Sequence, residues 1–262
     1  FLCVVAHMLY LHYRKLYARN VLEPDISDDV SQRSHEFNVA GCRMLTYRPQ
    51  QARRRALLFP GLRVSVRRML REPAVRTLLT DTDILCFQVR GLGDSELVVD
   101  ISTATMLQDA IAAYGEFICR TDATLPSIFI GYSLGTYVAM RLAAHLRNID
   151  ANGSHVTLRA IVLINAIGSG TRMIPSFRAF ASLLGVNNMP LVTECNVPLV
   201  LLHAKEDTHV GPEESTEITQ TARAHGRKAQ TIWIQGGHSK YWLSPTQDAQ
   251  YTRALSELGV GS

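Results

Sequence analysis

The 262-residue chain has no C-x-x-C pair, no internal repeat, no low-complexity tract and no Pro/Gly/Ser-rich linker. Its five cysteines are odd in number and widely spaced, which excludes a disulfide framework and a zinc site. Several lie inside apolar runs, as in "ILCF" and "FICR", and read as buried reduced thiols. The formal charge of +4 is a mild excess carried by scattered arginines, among them Arg53, Arg54, Arg55, Arg63, Arg67, Arg68 and Arg71. Neither a basic stripe interleaved with aromatics nor a binding module accompanies them, so nucleic acid is excluded as a partner. What is present is ordinary for a folded soluble protein: 47% hydrophobic and 19% charged residues, which argues against disorder.

The chain opens on Phe1 instead of Met, and the expectation is that something upstream has been removed or is not shown. The first residues, "FLCVVAHMLYLHYRKLY", form an apolar stretch of about a dozen residues, too short to span a bilayer alone. Aromatic and basic residues follow at once, as at the boundary of a membrane anchor. Two readings of residues 1–33 stand side by side: the remnant of an anchor giving membrane contact, or an amphipathic helix packed on the domain. Location is accordingly read as cytoplasmic or membrane-associated.

From Glu36 the sequence divides into short runs and longer amphipathic stretches. "EFNV", "CRMLTYR" and "RALLFP" read as strands, the first two joined by an Ala40-Gly41 turn. "DILCFQV", "SIFIGY", "AIVLIN", "PLVLLHA" and "QTIWIQ" are further strands, separated by helical stretches such as "TATMLQDAIAAYGEFICR". That helix places Met106, Ala110, Ala113, Phe117 and Ile118 on one face. Such alternation predicts one α/β domain with a mostly parallel central sheet and helices on both faces. Residues 166–196 form a short insertion between two strands, too small to be a domain.

In an open parallel sheet, ligands bind beyond the carboxyl ends of the strands, so the residues just past each strand are the candidates. Ser133 lies in Gly131-Tyr132-Ser133-Leu134-Gly135, between a strand and a helix. A sharp strand-to-helix turn strains the middle residue, lifts its hydroxyl above the sheet and aims the next N–H, that of Leu134, at the same point. A helix-capping serine is the bland alternative. A serine needs a base, and His238 in "WIQGGHSKYW" follows the last predicted strand on a glycine loop, with His209 as rival. "PLVLLHAKEDTHV" supplies Asp207 as the orienting carboxylate, with Glu206 its neighbour and competitor. In "LLFPGLRVS" a strand ends at Phe59, and Pro60-Gly61 turns the Leu62 N–H inward as a second oxyanion donor beside Leu134.

Serine, acid and histidine in that chain order, each past a successive strand, resemble the α/β-hydrolase superfamily of serine hydrolases. "RGLGDS" resembles its R-G-x-G-x-S turn, "HAKEDTHV" its acid loop and "GGHSKYW" its histidine loop. The likeness runs from about Glu36 to the carboxyl terminus, making residues 34–262 the hydrolase domain and 166–196 its cap. Pro60-Gly61 stands where the family usually has His-Gly, and Ala204 where it usually has Gly.

The resemblance implies a Ser133, His238 and Asp207 triad cleaving a lipid-like or short acyl ester through an acyl-enzyme, with no metal or organic cofactor. Thioesterase or acyltransferase activity on the same triad is the rival, and a non-catalytic scaffold the distant one. In the cap, "MIPSFRAFASLLGV" puts Phe177, Phe180 and Leu184 on one helical face, readable as a packing face or an acyl-binding wall. Arg63, Arg67 and Arg71, spaced by four, read as a solvated helix face, with attraction of a phosphate-bearing substrate as the alternative.

Overall fold

The computed structural model describes residues 28–62, 64–93, 95–96, 101–150 and 158–260; of the N-terminal segment 1–33, residues 1–27 lie outside them. A short helix α1 (Asp28–Gln32) leads into a hairpin of β1 (Ser34–Val39) and β2 (Cys42–Tyr47). Ala40 and Gly41 form its two-residue turn with φ of 49° and 80°, the paired positive dihedrals that match strand twist in tight hairpins. The order then runs β3 (Arg54–Phe59), α2 (Val66–Met69), α3 (Pro73–Arg76), β4 (Thr82–Gln88), α4 (Thr103–Arg120), β5 (Ser127–Tyr132), α5 (Leu134–Asp150) and β6 (Leu158–Ile164). After β6 come α6 (Pro175–Leu184), α7 (Met189–Glu194), β7 (Leu199–Ala204), α8 (Glu213–Ala224), β8 (Ala229–Gly237), β9 (Lys240–Trp242) and α9 (Pro245–Glu257).

The strands make one nine-stranded sheet, ordered β1-β2-β4-β3-β5-β6-β7-β8-β9. Neighbours from β4 to β8 run parallel, and the antiparallel pairs sit at the two edges. The fold is therefore α/β with a mostly parallel sheet and helices on both faces. Strand alternation sorts side chains into two cores. Leu57, Phe59, Phe129, Ile161 and Leu201 pack under α4, α5, α7 and α8, whereas Ala56, Leu58, Ile130, Val162 and Leu202 pack under α2, α3 and α9. On α4 the buried face is Met106, Asp109, Ala110, Ala113 and Phe117. Asp109 belongs there because its carboxylate accepts from Arg90 Nε (2.7 Å) and N (2.8 Å), so the "RGLGDS" turn ties the end of β4 to the helix.

The segment between β6 and β7 divides in two. Helix α7 buries Leu191 and Val192 in the core with α5 and α8, as a parallel crossover requires. Helix α6 is the part that reaches the strand ends. Cys42, Cys86 and Cys195 are buried thiols as expected, but Cys119 is exposed on the outer face of α4. Among the described residues no helix is long and apolar enough to cross a membrane.

Candidate active site

Ser133 sits between β5 and α5 with φ at +51°, a left-handed conformation that costs a non-glycine residue about 1–2 kcal/mol. Its flanking glycines make this corner sterically possible. A Cβ on Gly135 would stand 1.8 Å from the Phe59 carbonyl oxygen, and one on Gly131 would meet the Gly135 carbonyl at 2.6 Å. Helix α5 thus descends against the ends of β3 and β5 closely enough to lift Ser133 above the sheet.

His238 Nε2 lies 2.9 Å from Ser133 Oγ, and its Nδ1 lies 2.6 Å from Asp207 Oδ2. The three side chains come from the ends of β5, β7 and β8, and all are buried. His238 does not ride on an open loop. It forms, with Ser239, the two-residue turn of the β8–β9 hairpin, in which Gly237 pairs with Lys240. Strand β9 has only three residues and leaves no periodic signal. The His238 carbonyl accepts from Asn165 Nδ2 (2.9 Å) and from the Tyr132 hydroxyl, fixing the turn from β6 and β5. Asn165 Oδ1 in turn accepts from Ala204 N at 2.9 Å, joining the ends of β6 and β7. Neither Asn165 nor Tyr132 stands out in the sequence as a site residue, although both occupy the strand-end positions where such residues gather. Burial, followed by the Glu72 charge, pushes the Tyr132 hydroxyl well up, so it stays a neutral donor.

Asp207 Oδ1 accepts from the N–H groups of His209 (2.8 Å) and Val210 (2.9 Å), leaving Oδ2 for the imidazole. Burial on its own would raise this carboxyl. The hydrogen bond and charge of His238, the Val210 N–H and His203 outweigh it, and the group is held below the usual carboxylate range. The competing Glu206 is exposed. His203, fully buried on β7, is set apart by its partners: Nε2 faces the Val210 carbonyl at 3.0 Å, so that nitrogen carries the proton and Nδ1 accepts from the Ser215 hydroxyl at 2.6 Å. Desolvation lowers its basicity further. His209 stacks on His238, with ring centroids 5.3 Å apart, as a second ring wall.

These groups face a cavity of about 130 Å³ lined by Gly61, Leu62, Val64, Arg68, Tyr132, Ser133, Phe177, His209, His238 and Ser239. The apolar face proposed for α6 splits at this point. Phe177 meets His209 and His238 edge-on, at 5.6 and 6.5 Å between centroids, whereas Leu184 packs on the core away from the cavity. The Phe180 side chain lies outside the described set. The base of α6 is tied to the acid loop by the Met173–Val210 bridge and by Glu214, whose carboxylate accepts from the N–H groups of Gly168, Gly170 and Arg172. Of the arginines spaced by four, Arg67 is exposed and ion-paired with Glu36, and Arg71 is half-buried; it is Arg68 that enters the cavity wall.

A family model described as serine hydrolase (FSH1) matches residues 101–246, more than half of the chain and the stretch that contains Ser133, Asp207 and His238. The chain belongs to the FSH1 serine hydrolase family. Leu62 and Arg68 lie ahead of the matched region. A search of curated proteins finds no match. Among solved structures, this FSH1-family hydrolase resembles an esterase from Pyrococcus furiosus (14% identity, 91% of this chain and 96% of that one, TM-score 0.65). It also resembles a Thermus thermophilus protein (23%, 86% and 97%, 0.62) and an esterase from a Rhodococcus species (17%, 88% and 100%, 0.60). At these identities the likeness is one of fold, the α/β-hydrolase fold. The chain is an enzyme of the serine hydrolase class.

Proposed function

We propose that this hydrolase cleaves a carboxylic ester by two-step acyl transfer, with Ser133 as nucleophile, His238 as base and Asp207 as its orienting carboxylate. The reading rests on the continuous hydrogen-bond chain from Ser133 Oγ through His238 to Asp207 at the edge of a strand-end cavity. An ionised Asp207 holds the proton on His238 Nδ1, which keeps Nε2 as the acceptor for the serine proton. As Ser133 Oγ attacks the ester carbonyl, negative charge builds on the carbonyl oxygen. Leu134, the first residue of α5, has an N–H with no acceptor within the helix, and it lies at the positive end of the helix dipole. With the Leu62 N–H it would hold the oxyanion, each donor contributing about 3–4 kcal/mol to transition-state binding. His238 then protonates the departing alcohol. Water, deprotonated by the same nitrogen, attacks the acyl-enzyme and restores Ser133.

The cavity is well below the ~300–1,000 Å³ of drug-sized sites, which favours a short acyl group. Two of the structural neighbours carry esterase in their names, which supports the choice of ester over other acyl compounds. The test combines a fluorophosphonate label with a panel of p-nitrophenyl esters and acyl thioesters. Wild-type protein should be labelled and should hydrolyse short esters. Ser133→Ala should lose labelling and roughly 10³–10⁶-fold in kcat. Labelling of Ser133→Ala at the wild-type rate would remove the nucleophile assignment, and faster turnover of thioesters throughout the panel would replace the ester reading with the rival.

A further inference from the structure

We infer that Asn165 is a positioning residue for acyl transfer: its buried amide holds the base turn against the acid strand, so its loss slows the chemical step and leaves substrate binding intact. The inference rests on the triad reading above. Asn165 is the first residue past β6, fully buried, with φ at +47°. Among the described residues only Ala40, Ser133 and Asn165 hold positive φ without being glycine. Ala40 belongs to a hairpin turn, where that conformation matches the strand twist. The other two follow the paired ends of β5 and β6, where the Ser133 N–H donates to the Ile164 carbonyl at 2.9 Å. Such strain on a non-glycine residue persists only where its surroundings enforce it, and it gathers at working sites.

Asn165 Nδ2 donates to the His238 carbonyl and Oδ1 accepts from the Ala204 N–H, each at 2.9 Å. The Ala204 carbonyl in turn accepts from the Asp207 N–H at 3.1 Å, and the Asn165 N–H donates to the Leu202 carbonyl at 2.8 Å. With Ile164 on the nucleophile, two adjacent residues therefore meet the segments that carry Ser133, Asp207 and His238. The amide orientation follows from its neighbours, since a carbonyl accepts and an N–H donates. The Ala204 N–H needs an acceptor, and a hydroxyl or carboxylate oxygen would serve. The donor arm answers no such need, because the His238 carbonyl already accepts from the Tyr132 hydroxyl. What the amide adds is a fixed link between base turn and acid strand. His238 must reach Ser133 Oγ at 2.9 Å and Asp207 Oδ2 at 2.6 Å at the same time. A misplacement of about 1 Å in such an arrangement costs up to ~10²-fold in rate.

The test uses the full chain and p-nitrophenyl acetate in stopped flow, which separates the acylation rate constant from the substrate dissociation constant. Fluorophosphonate labelling carried to completion counts the folded sites, so rates are compared per site even where a variant folds incompletely. Asn165→Gly removes the amide and suits the left-handed backbone; Asn165→Ala removes the amide and keeps the backbone strain. Both should slow acylation by roughly 10–100-fold per site, with the dissociation constant within about twofold of wild type. Acylation of Asn165→Gly at the wild-type rate overturns the inference, since slowing confined to Asn165→Ala belongs to the backbone and not to the amide. A weaker dissociation constant that accounts for the whole loss overturns it too, as does a lower melting temperature with unchanged acylation per site. If wild-type protein shows no acylation burst, or Ser133→Ala shows the same one, the triad reading falls and takes the inference with it. A burst lost in Ser133→Ala and kept in Asn165→Gly removes the inference alone.

Discussion

At the amino ends of β3 and β4, Arg55 and Asp83 stand opposite each other in register, both buried. Arg55 donates to Ser127 Oγ (2.7 Å) and Thr121 Oγ1 (3.3 Å), and its guanidinium lies 4.9 Å from the centre of the Phe117 ring. Asp83 Oδ1 has no hydrogen-bond partner among the described residues, and burial pushes its carboxyl up. At the carboxyl ends of the same sheet, Ser133, His238 and Asp207 are equally buried, yet each polar atom has a partner in a chain that ends on a cavity. Two residues there, Ser133 and Asn165, hold positive φ without being glycine. Buried charge alone does not separate these regions, since both have it. Pocket size does not either: a cleft of about 350 Å³, lined by Arg223, Arg227 and Lys228, opens at the amino ends of β7 and β8 without a nucleophile beside a base. What separates them is convergence. At the amino end Arg55 closes on Ser127, Thr121 and the Phe117 ring while Asp83 Oδ1 stays without a partner among the described residues, and at the carboxyl end the polar groups converge on a shared space.

The sharpest way to break this comparison is at the acid. Asp207→Asn should lower kcat by about 10³–10⁴-fold, because an amide no longer favours the proton on His238 Nδ1, while melting temperature changes little. Glu206→Gln, one residue away and exposed, should leave kcat within a factor of about two. Equal losses in the two, read by steady-state kinetics, would mean that the hydrogen-bond chain is not what drives turnover.

At the amino end the expectation reverses. Arg55→Met removes the donor to Ser127 and the positive charge beside Asp83, and should cost about 2–4 kcal/mol of stability. Fluorophosphonate labelling of the folded fraction should proceed at the wild-type rate. Thermal unfolding and labelling on the same sample check this; slower labelling with unchanged stability would make the amino end part of the working site.

The smallest expected effect lies at Phe177 on α6, in the cavity wall. Phe177 is half-buried, and Phe177→Ala should cost about 1 kcal/mol or less while enlarging the cavity. The preferred acyl chain should lengthen by one or more carbons in a p-nitrophenyl ester series. A melting temperature that collapses with no change in chain-length profile would make Phe177 a packing residue like Leu184.

The sequence by itself determined the elements whose cause is local. Short continuous apolar runs and helical faces of period 3.6 specified the parallel core, and two glycines around Ser133 marked the strand-to-helix corner, although the Phe59 carbonyl that Gly135 approaches comes from β3. The placing of Ser133, Asp207 and His238 at the ends of β5, β7 and β8 was legible for the same reason, each lying next to a strand that announces itself. Tertiary structure decided whatever depends on neighbours distant in the chain. Asn165 and Tyr132 grip the His238 carbonyl across 73 and 106 residues of sequence, and nothing in "AIVLIN" or "SIFIGY" signals that contact. Strand β9 exists because β8 is there to pair with it, not because three residues have a periodicity. The same holds for charge. Arg54 and Arg55 read like the other scattered arginines, yet Asp81 draws one inward and Ser127 the other. Arg67 and Arg68 are adjacent, and the direction in which one short helix faces sends the first toward Glu36 and solvent and the second into the cavity wall. Burial is set by what packs against a side chain, and that is a property of the assembled sheet and helices.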